Sequence, residues 1–165
     1  MYLIQERLFD LGDDFDITDE SGAPVYHVDG KVLSLRDRLV IEDLAGREVA
    51  SVHRKMIALR PSYTISVGGE KAADMRKKLF TPFGDRYTID VPGPNDLELR
   101  GNLLEHEYTV ERDGREIASV SKKWFRVRDT YAVRIAEGED DVLVLAGVLA
   151  LDLAQAAEKE KDQKQ

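Results

Sequence analysis

The 165-residue chain has no cysteine, which excludes a disulfide framework, a thiolate metal site and a cysteine nucleophile. Its three histidines, His27, His53 and His106, are scattered. None has a partner at metal-ligand spacing, so neither a zinc centre nor a catalytic histidine is expected. No G-x-S-x-G elbow, Walker loop or G-x-G-x-x-G stretch occurs, and no catalytic residues or cofactor are assigned. The start, Met1 to Glu6, lacks the basic residues and long apolar run of a signal peptide, which predicts a soluble, cytoplasmic protein. Bases are the minority charge, 24 Lys and Arg against 32 Asp and Glu, for a net charge of −8. A general nucleic-acid binder would normally be basic, so none is expected.

What is present is a core and a repeat. Apolar residues make up 42% of the chain, too many for wholesale disorder, and the length suits one domain. The stretch from Gly46 to Lys55, GREVASVHRK, returns as GREIASVSKK from Gly114 to Lys123 with seven of ten positions identical. A looser copy runs from Gly69 to Lys78. Tyr-Thr-Ile or Tyr-Thr-Val begins at Tyr63, Tyr87 and Tyr108, six residues before Gly69, Gly93 and Gly114. With Gly22, Gly46 and Gly138 these glycines stand 24, 23, 24, 21 and 24 residues apart. A unit of that length fits two strands and two turns, with glycine at hairpin positions that need positive φ. The pattern predicts twelve antiparallel strands at 2–9, 14–19, 24–33, 38–43, 47–55, 62–67, 70–80, 86–91, 96–101, 106–112, 115–125 and 130–136. So many strands either close into a barrel or leave exposed edges.

The run Val142-Leu143-Val144-Leu145-Ala146-Gly147-Val148-Leu149-Ala150-Leu151 is apolar on every side and continues as Asp152-Leu153-Ala154-Gln155. Ten residues are too few to span a bilayer, which needs about 20, so no transmembrane segment is expected. A short helix apolar all round must be buried all round. Two arrangements offer this, the bore of a barrel or one side of a sandwich. Recurring small residues at one inward strand position, Ala50, Ala73 and Ala118, leave room in the middle and favour the bore. Acids at Glu139, Asp140 and Asp141 suit the N-terminus of a helix over about 140–157, and the charged residues 158–165 read as a disordered tail.

This order of elements resembles the tubby C-terminal-like fold, and most closely the LURP-one-related family in its small prokaryotic single-domain form. The stretches that carry the resemblance include Leu8 to Phe15 (LFDLGDDF), Val28 to Lys31 (VDGK), Leu59 to Tyr63 (LRPSY), Asp90 to Pro94 (DVPGP), Val120 to Phe125 (VSKKWF), Asp129 to Tyr131 (DTY) and Asp140 to Ala146 (DDVLVLA). It covers essentially residues 1–155. The resemblance implies a mainly β protein, a closed barrel of about twelve strands around a central hydrophobic C-terminal α-helix, shared with tubby proteins and phospholipid scramblases. Tubby-type members bind phosphoinositides, but their lipid-binding motif has no counterpart here, so that activity transfers only as an analogy between folds.

In a meander every second loop lies at the same end. The glycine turns gather acids, among them Asp19, Glu42, Asp43, Asp113 and Glu139. The loops at the other end, 31–38, 54–60, 76–86 and 122–128, hold fourteen of the 24 bases against only Asp37 and Asp85. The acidic loops Leu11–Asp16 and Asn102–Glu107 interrupt this ring. Alternation sets Arg54, Lys77 and Lys122 on the face of the inward alanines, pointing toward the mouth. The candidate ligand-binding rim is Arg54, Lys55, Arg60, Lys77, Lys78, Arg86, Lys122, Lys123, Arg126 and Arg128, with Met56, Phe80, Phe83, Trp124 and Phe125 around it. Such a mixture suits an anionic lipid headgroup or membrane surface. Lys and Arg at strand ends also simply solvate edges and complement the negative end of a buried helix. Asp13, Asp14 and Asp16 form an acidic cluster without the glycine and terminal glutamate of an EF-hand loop, and no metal is expected. The expected function is a non-enzymatic binding module. The alternative is a structural or scaffold protein that binds a protein partner and no small ligand.

Overall fold

A computed structural model describes residues 1–5, 14–29, 38–57, 59–78, 86–92, 95–124 and 127–165. Twelve antiparallel strands form its wall: β1 (Tyr2–Gln5), β2 (Phe15–Thr18), β3 (Pro24–Val28), β4 (Arg38–Glu42), β5 (Glu48–Ile57), β6 (Arg60–Val67), β7 (Glu70–Lys78), β8 (Arg86–Asp90), β9 (Leu97–Asn102), β10 (Glu107–Arg112), β11 (Arg115–Ser121) and β12 (Thr130–Ile135). Each pairs with its sequence neighbours, and β1 pairs with β12, from Tyr2↔Val133 to Gln5↔Thr130, to close the barrel.

The sequence repeat is a structural repeat. A bulge recurs near the end of β2, β4, β6 and β10, at Ile17/Thr18, Ile41/Glu42, Ile65/Ser66 and Val110/Glu111. Each adds local twist and hands the chain to a glycine turn. In two of these turns an aspartate side chain replaces missing strand partners. Asp19 Oδ1 accepts from the main-chain N–H groups of Ser21 and Ala23, and Asp43 Oδ1 from those of Ala45 and Arg47. Gly22 and Gly46 follow at φ +84° and +80°, where a side chain would be strained. The Ser21 hydroxyl, donating to Asp19 Oδ1 at 2.6 Å, together with the Ala23 N–H holds the Asp19 carboxyl below the usual carboxylate range, and the Arg47 N–H does the same for Asp43.

The helix α1 (Asp141–Gln163) fills the bore. Every residue from Leu143 to Gln155 is buried. Ala50, Ala73 and Ala118 lie inside with them, and the small side chains make the space that the helix occupies. Gly147 serves the same end from the helix side, because a Cβ there would stand 2.7 Å from Ile89 Cδ1. Asp140 caps the helix by accepting from Leu143 N–H at 3.1 Å, and Asp141 accepts from the Tyr2 hydroxyl at 2.6 Å. Burial, aided by that carboxylate, raises the Tyr2 phenol above its ordinary value.

Three expectations change. The helix does not stop at 157: it runs to Gln163, and residues 158–163, expected as disordered tail, are its last turns. Glu158 and Lys161 are three apart, and Lys161 sits in the last turn, where the helix dipole favours a cation. Residues 54–60, expected as a loop, are mostly strand, with Met56 paired to Pro61 and Ile57 to Arg60. β11 ends at Ser121 rather than 125, because Glu107 takes over its bonds: the carboxylate accepts from Ser121 Oγ at 2.7 Å and Lys122 N–H at 3.0 Å. The expected strand portions 6–9, 30–33 and 79–80, and residue 125, lie outside the described residues.

Candidate functional site

The meander fixes two unlike ends. The glycine turns and the helix N-terminus make one. The links after β1, β3, β5, β7, β9 and β11 make the other, which is where the C-terminal part of α1 emerges.

Nine of the ten candidate rim residues are at this second end, and Arg126 lies outside the described residues. They are not equivalent. Lys77 Nζ donates to Glu158 Oε1 on the helix at 2.9 Å, so this base does turn into the mouth. Arg54, Tyr63, Tyr87, Ala157 and Lys161 surround that pair around a cavity of about 20 Å³, enough for one or two waters. Arg54 Nε is buried there and finds no hydrogen-bond partner among the described residues. Burial raises the Tyr63 phenol above its ordinary value, against the opposing pull of Arg54. Lys78 is engaged by Glu98 at 2.8 Å and Arg128 by Asp129 at 3.6 Å. Lys55, Arg60 and Lys123 are exposed, with no ion-pair partner among the described residues.

The apolar companions differ from expectation. Trp124 is half-buried, with the Arg134 guanidinium 4.0 Å above its ring. Phe80, Phe83 and Phe125 lie outside the described residues. The β5–β6 hairpin supplies the apolar surface instead: Met56 is 56% exposed, Ile57 48% and Leu59 94%. Leu104 and Val127, on other links at the same end, are also exposed. Among the described residues, the one large exposed apolar residue at the opposite end is Leu44.

A buried polar cluster stands behind this end, and sequence reasoning missed it. Asp152, on the helix, accepts from Tyr131 Oη at 2.5 Å and from His106 Nε2 at 2.8 Å. The His106 ring stacks on Tyr131 with centroids 4.3 Å apart. With a carboxylate as acceptor, Nε2 carries the proton. Tyr108 is buried beside them, and burial followed by the Asp152 charge drives its phenol well above the ordinary value. All of these side chains are closed to solvent. The arrangement anchors the helix to β12 and to the β9–β10 link. The signal was Asp152 itself, since an acid on a helix that must be buried all round needs partners.

At the far side of the wall, His27 bridges Asp16 at 2.9 Å and Asp14 at 3.6 Å. The hydrogen bond to Asp16 raises the His27 pKa above its ordinary value. Among the described residues no group of three His, Asp or Glu side chains is placed to hold a metal, and Asp13 lies outside them. No helix among the described residues is long and apolar enough to cross a membrane.

A closed twelve-stranded antiparallel barrel threaded by an apolar helix defines the class of protein. The LURP-one-related family model matches residues 1–152, and the chain belongs to that family. It is 32% identical to the uncharacterized protein YxjI of Bacillus subtilis over 153 residues, covering 92% of this chain and 76% of that protein. The fold is similar to the X-ray structure of an Arabidopsis thaliana protein, with a TM-score of 0.66 and 18% identity over 86% of this chain and 85% of that one.

Proposed function

We propose that the protein is a non-enzymatic binding module that engages anionic lipid headgroups at a membrane surface through the end of the barrel where the helix emerges. One observation supports this reading above the others: Lys55, Arg60 and Lys123, exposed and without an ion pair among the described residues, share that end with nearly all the large exposed apolar side chains, while the opposite end carries turn-capping acids. Each Lys or Arg near an anionic surface contributes on the order of 1 kcal/mol. Lys55, Arg60 and Lys123 can contribute it without first breaking an ion pair. The net charge of −8 then matters less than its distribution.

Sedimentation with phosphatidylcholine vesicles, with and without phosphatidylserine, tests the reading. The wild type is expected to sediment only with the anionic vesicles and to be released by salt. The triple variant Lys55→Glu, Arg60→Glu, Lys123→Glu is expected to stay in the supernatant. Equal binding of this variant would overturn the reading. So would a protein partner captured equally by both forms with no vesicle binding, which would favour the scaffold alternative.

A further inference from the structure

The β5–β6 hairpin carries three of the six large exposed apolar side chains among the described residues. Described pairing between β4 and β5 ends at Arg38↔His53, and pairing between β6 and β7 begins at Tyr63↔Met75. Beyond those points Lys55↔Ser62, Met56↔Pro61 and Ile57↔Arg60 pair only with each other among the described strands. On the β6 side no described strand pairs with them, although β7 runs on to Lys78. The hairpin ends in Met56, Ile57 and Leu59, all exposed.

Leu59 is the telling residue. It stands in the turn at φ +66° and is 94% exposed. A two-residue hairpin turn favours Gly, Asn or Asp at positive φ, and a branched apolar side chain there is strained and gains nothing from the fold. Backbone strain held at an exposed position leads from the outlier to a function. Folding would be served better by asparagine.

We infer that the β5–β6 hairpin is a membrane-inserting finger: Met56, Ile57 and Leu59 enter the acyl boundary of an anionic bilayer while Lys55 and Arg60 stay among the headgroups. The inference rests on the membrane reading above and adds the element that penetrates. The dimensions fit. Lys55 lies one pair behind Met56, at about 3.3 Å per residue; Arg60 is level with Ile57, and its long side chain reaches back to the headgroups by snorkelling. An interfacial apolar face sinks about 5–10 Å. A protruding tip also suits a fluid surface better than a protein partner, which would have to offer a matching pocket.

The absence of cysteine makes the test clean. Leu59→Cys and, at the opposite end, Leu44→Cys are each labelled with an environment-sensitive fluorophore and mixed with phosphatidylcholine vesicles with and without phosphatidylserine. The expected result is a blue shift at position 59 with anionic vesicles only, and none at position 44. Leu59→Asn is expected to bind anionic vesicles about tenfold more weakly and to melt no lower than the wild type. If the protein sediments with anionic vesicles but the probe at position 59 does not shift, the finger is wrong and the headgroup reading survives. If nothing sediments, both fall.

Discussion

Replacing Asp152 with alanine measures how far the buried polar cluster holds the helix in place. The carboxylate accepts two hydrogen bonds, from Tyr131 Oη at 2.5 Å and His106 Nε2 at 2.8 Å, among side chains closed to solvent. Truncation removes the acceptor that both buried donors share, at about 1–3 kcal/mol each. Two effects oppose this. A charged group no longer has to be kept out of water, and alanine is the better helix former by roughly 0.5 kcal/mol. The net expectation is a destabilisation of about 3 kcal/mol. For a domain of this size about 2–4 °C of melting temperature is lost per kcal/mol, so Asp152→Ala is expected to melt roughly 6–12 °C below the wild type. Urea unfolding should show a lower midpoint at unchanged slope, which assigns the loss to the native state. Asp152→Asn keeps one acceptor oxygen and should lose less. A double-mutant cycle with Tyr131→Phe should return a coupling of about 1 kcal/mol or more, since the two residues touch. If Asp152→Ala stays within about 0.5 kcal/mol of the wild type and the cycle is additive, the cluster does not anchor the helix.

Other expectations follow from the same packing. Leu149→Asp puts an unpaired charge in the filled bore, at a cost on the order of the whole stability of a domain; the variant should give no cooperative melt by circular dichroism. Gly101 stands at φ +130°, and a Cβ there would lie 2.6 Å from the Glu107 carbonyl oxygen on β10. Gly101→Ala should therefore cost about 2 kcal/mol or more by urea unfolding, whereas an alanine at most surface sites is nearly neutral. The raised pKa of His27 has a definite sign: its contribution is complete below about pH 6.5 and is lost as pH rises through the higher folded-state value. The side chain is exposed, so solvent screens the effect on stability. NMR titration should place His27 above the free-histidine value in the wild type and closer to it in Asp16→Asn.

How much of this could be read from the chain depended on whether the pattern was local. The glycine spacing and the GREVASV repeat encode two strands and a turn within one short segment, so twelve strands were visible and twelve are found. The helix was legible because an apolar run with no polar side has one kind of home. Its last turns were not, since Glu158 and Lys161 read as solvated tail until Lys77 is seen across the mouth. The projecting hairpin was missed because Met56-Ile57 lacks alternating polarity, the usual sign of a half-buried strand. His106 and Tyr131 lie 46 and 21 residues before Asp152 and meet it only once β10, β11 and β12 have paired and the helix fills the bore. No spacing rule joins them. The basic rim was read as a list of charges near one end, and which of its described members already hold a partner depended on residues from other strands.

The pairing of β1 with β12 sets the order of events during synthesis. Tyr2 cannot find Val133 until nearly the whole sheet has been made, and the helix that fills the bore follows all twelve strands. Until then the growing sheet has an open edge and an uncovered apolar face, the condition in which nascent β proteins stick to one another. Nor can the helix be threaded afterwards, because with Ile89 set against Gly147 the finished bore has no slack. The wall must fold around its own plug, so refolding should be slow, as for other proteins dominated by distant contacts, and its yield should fall as protein concentration rises.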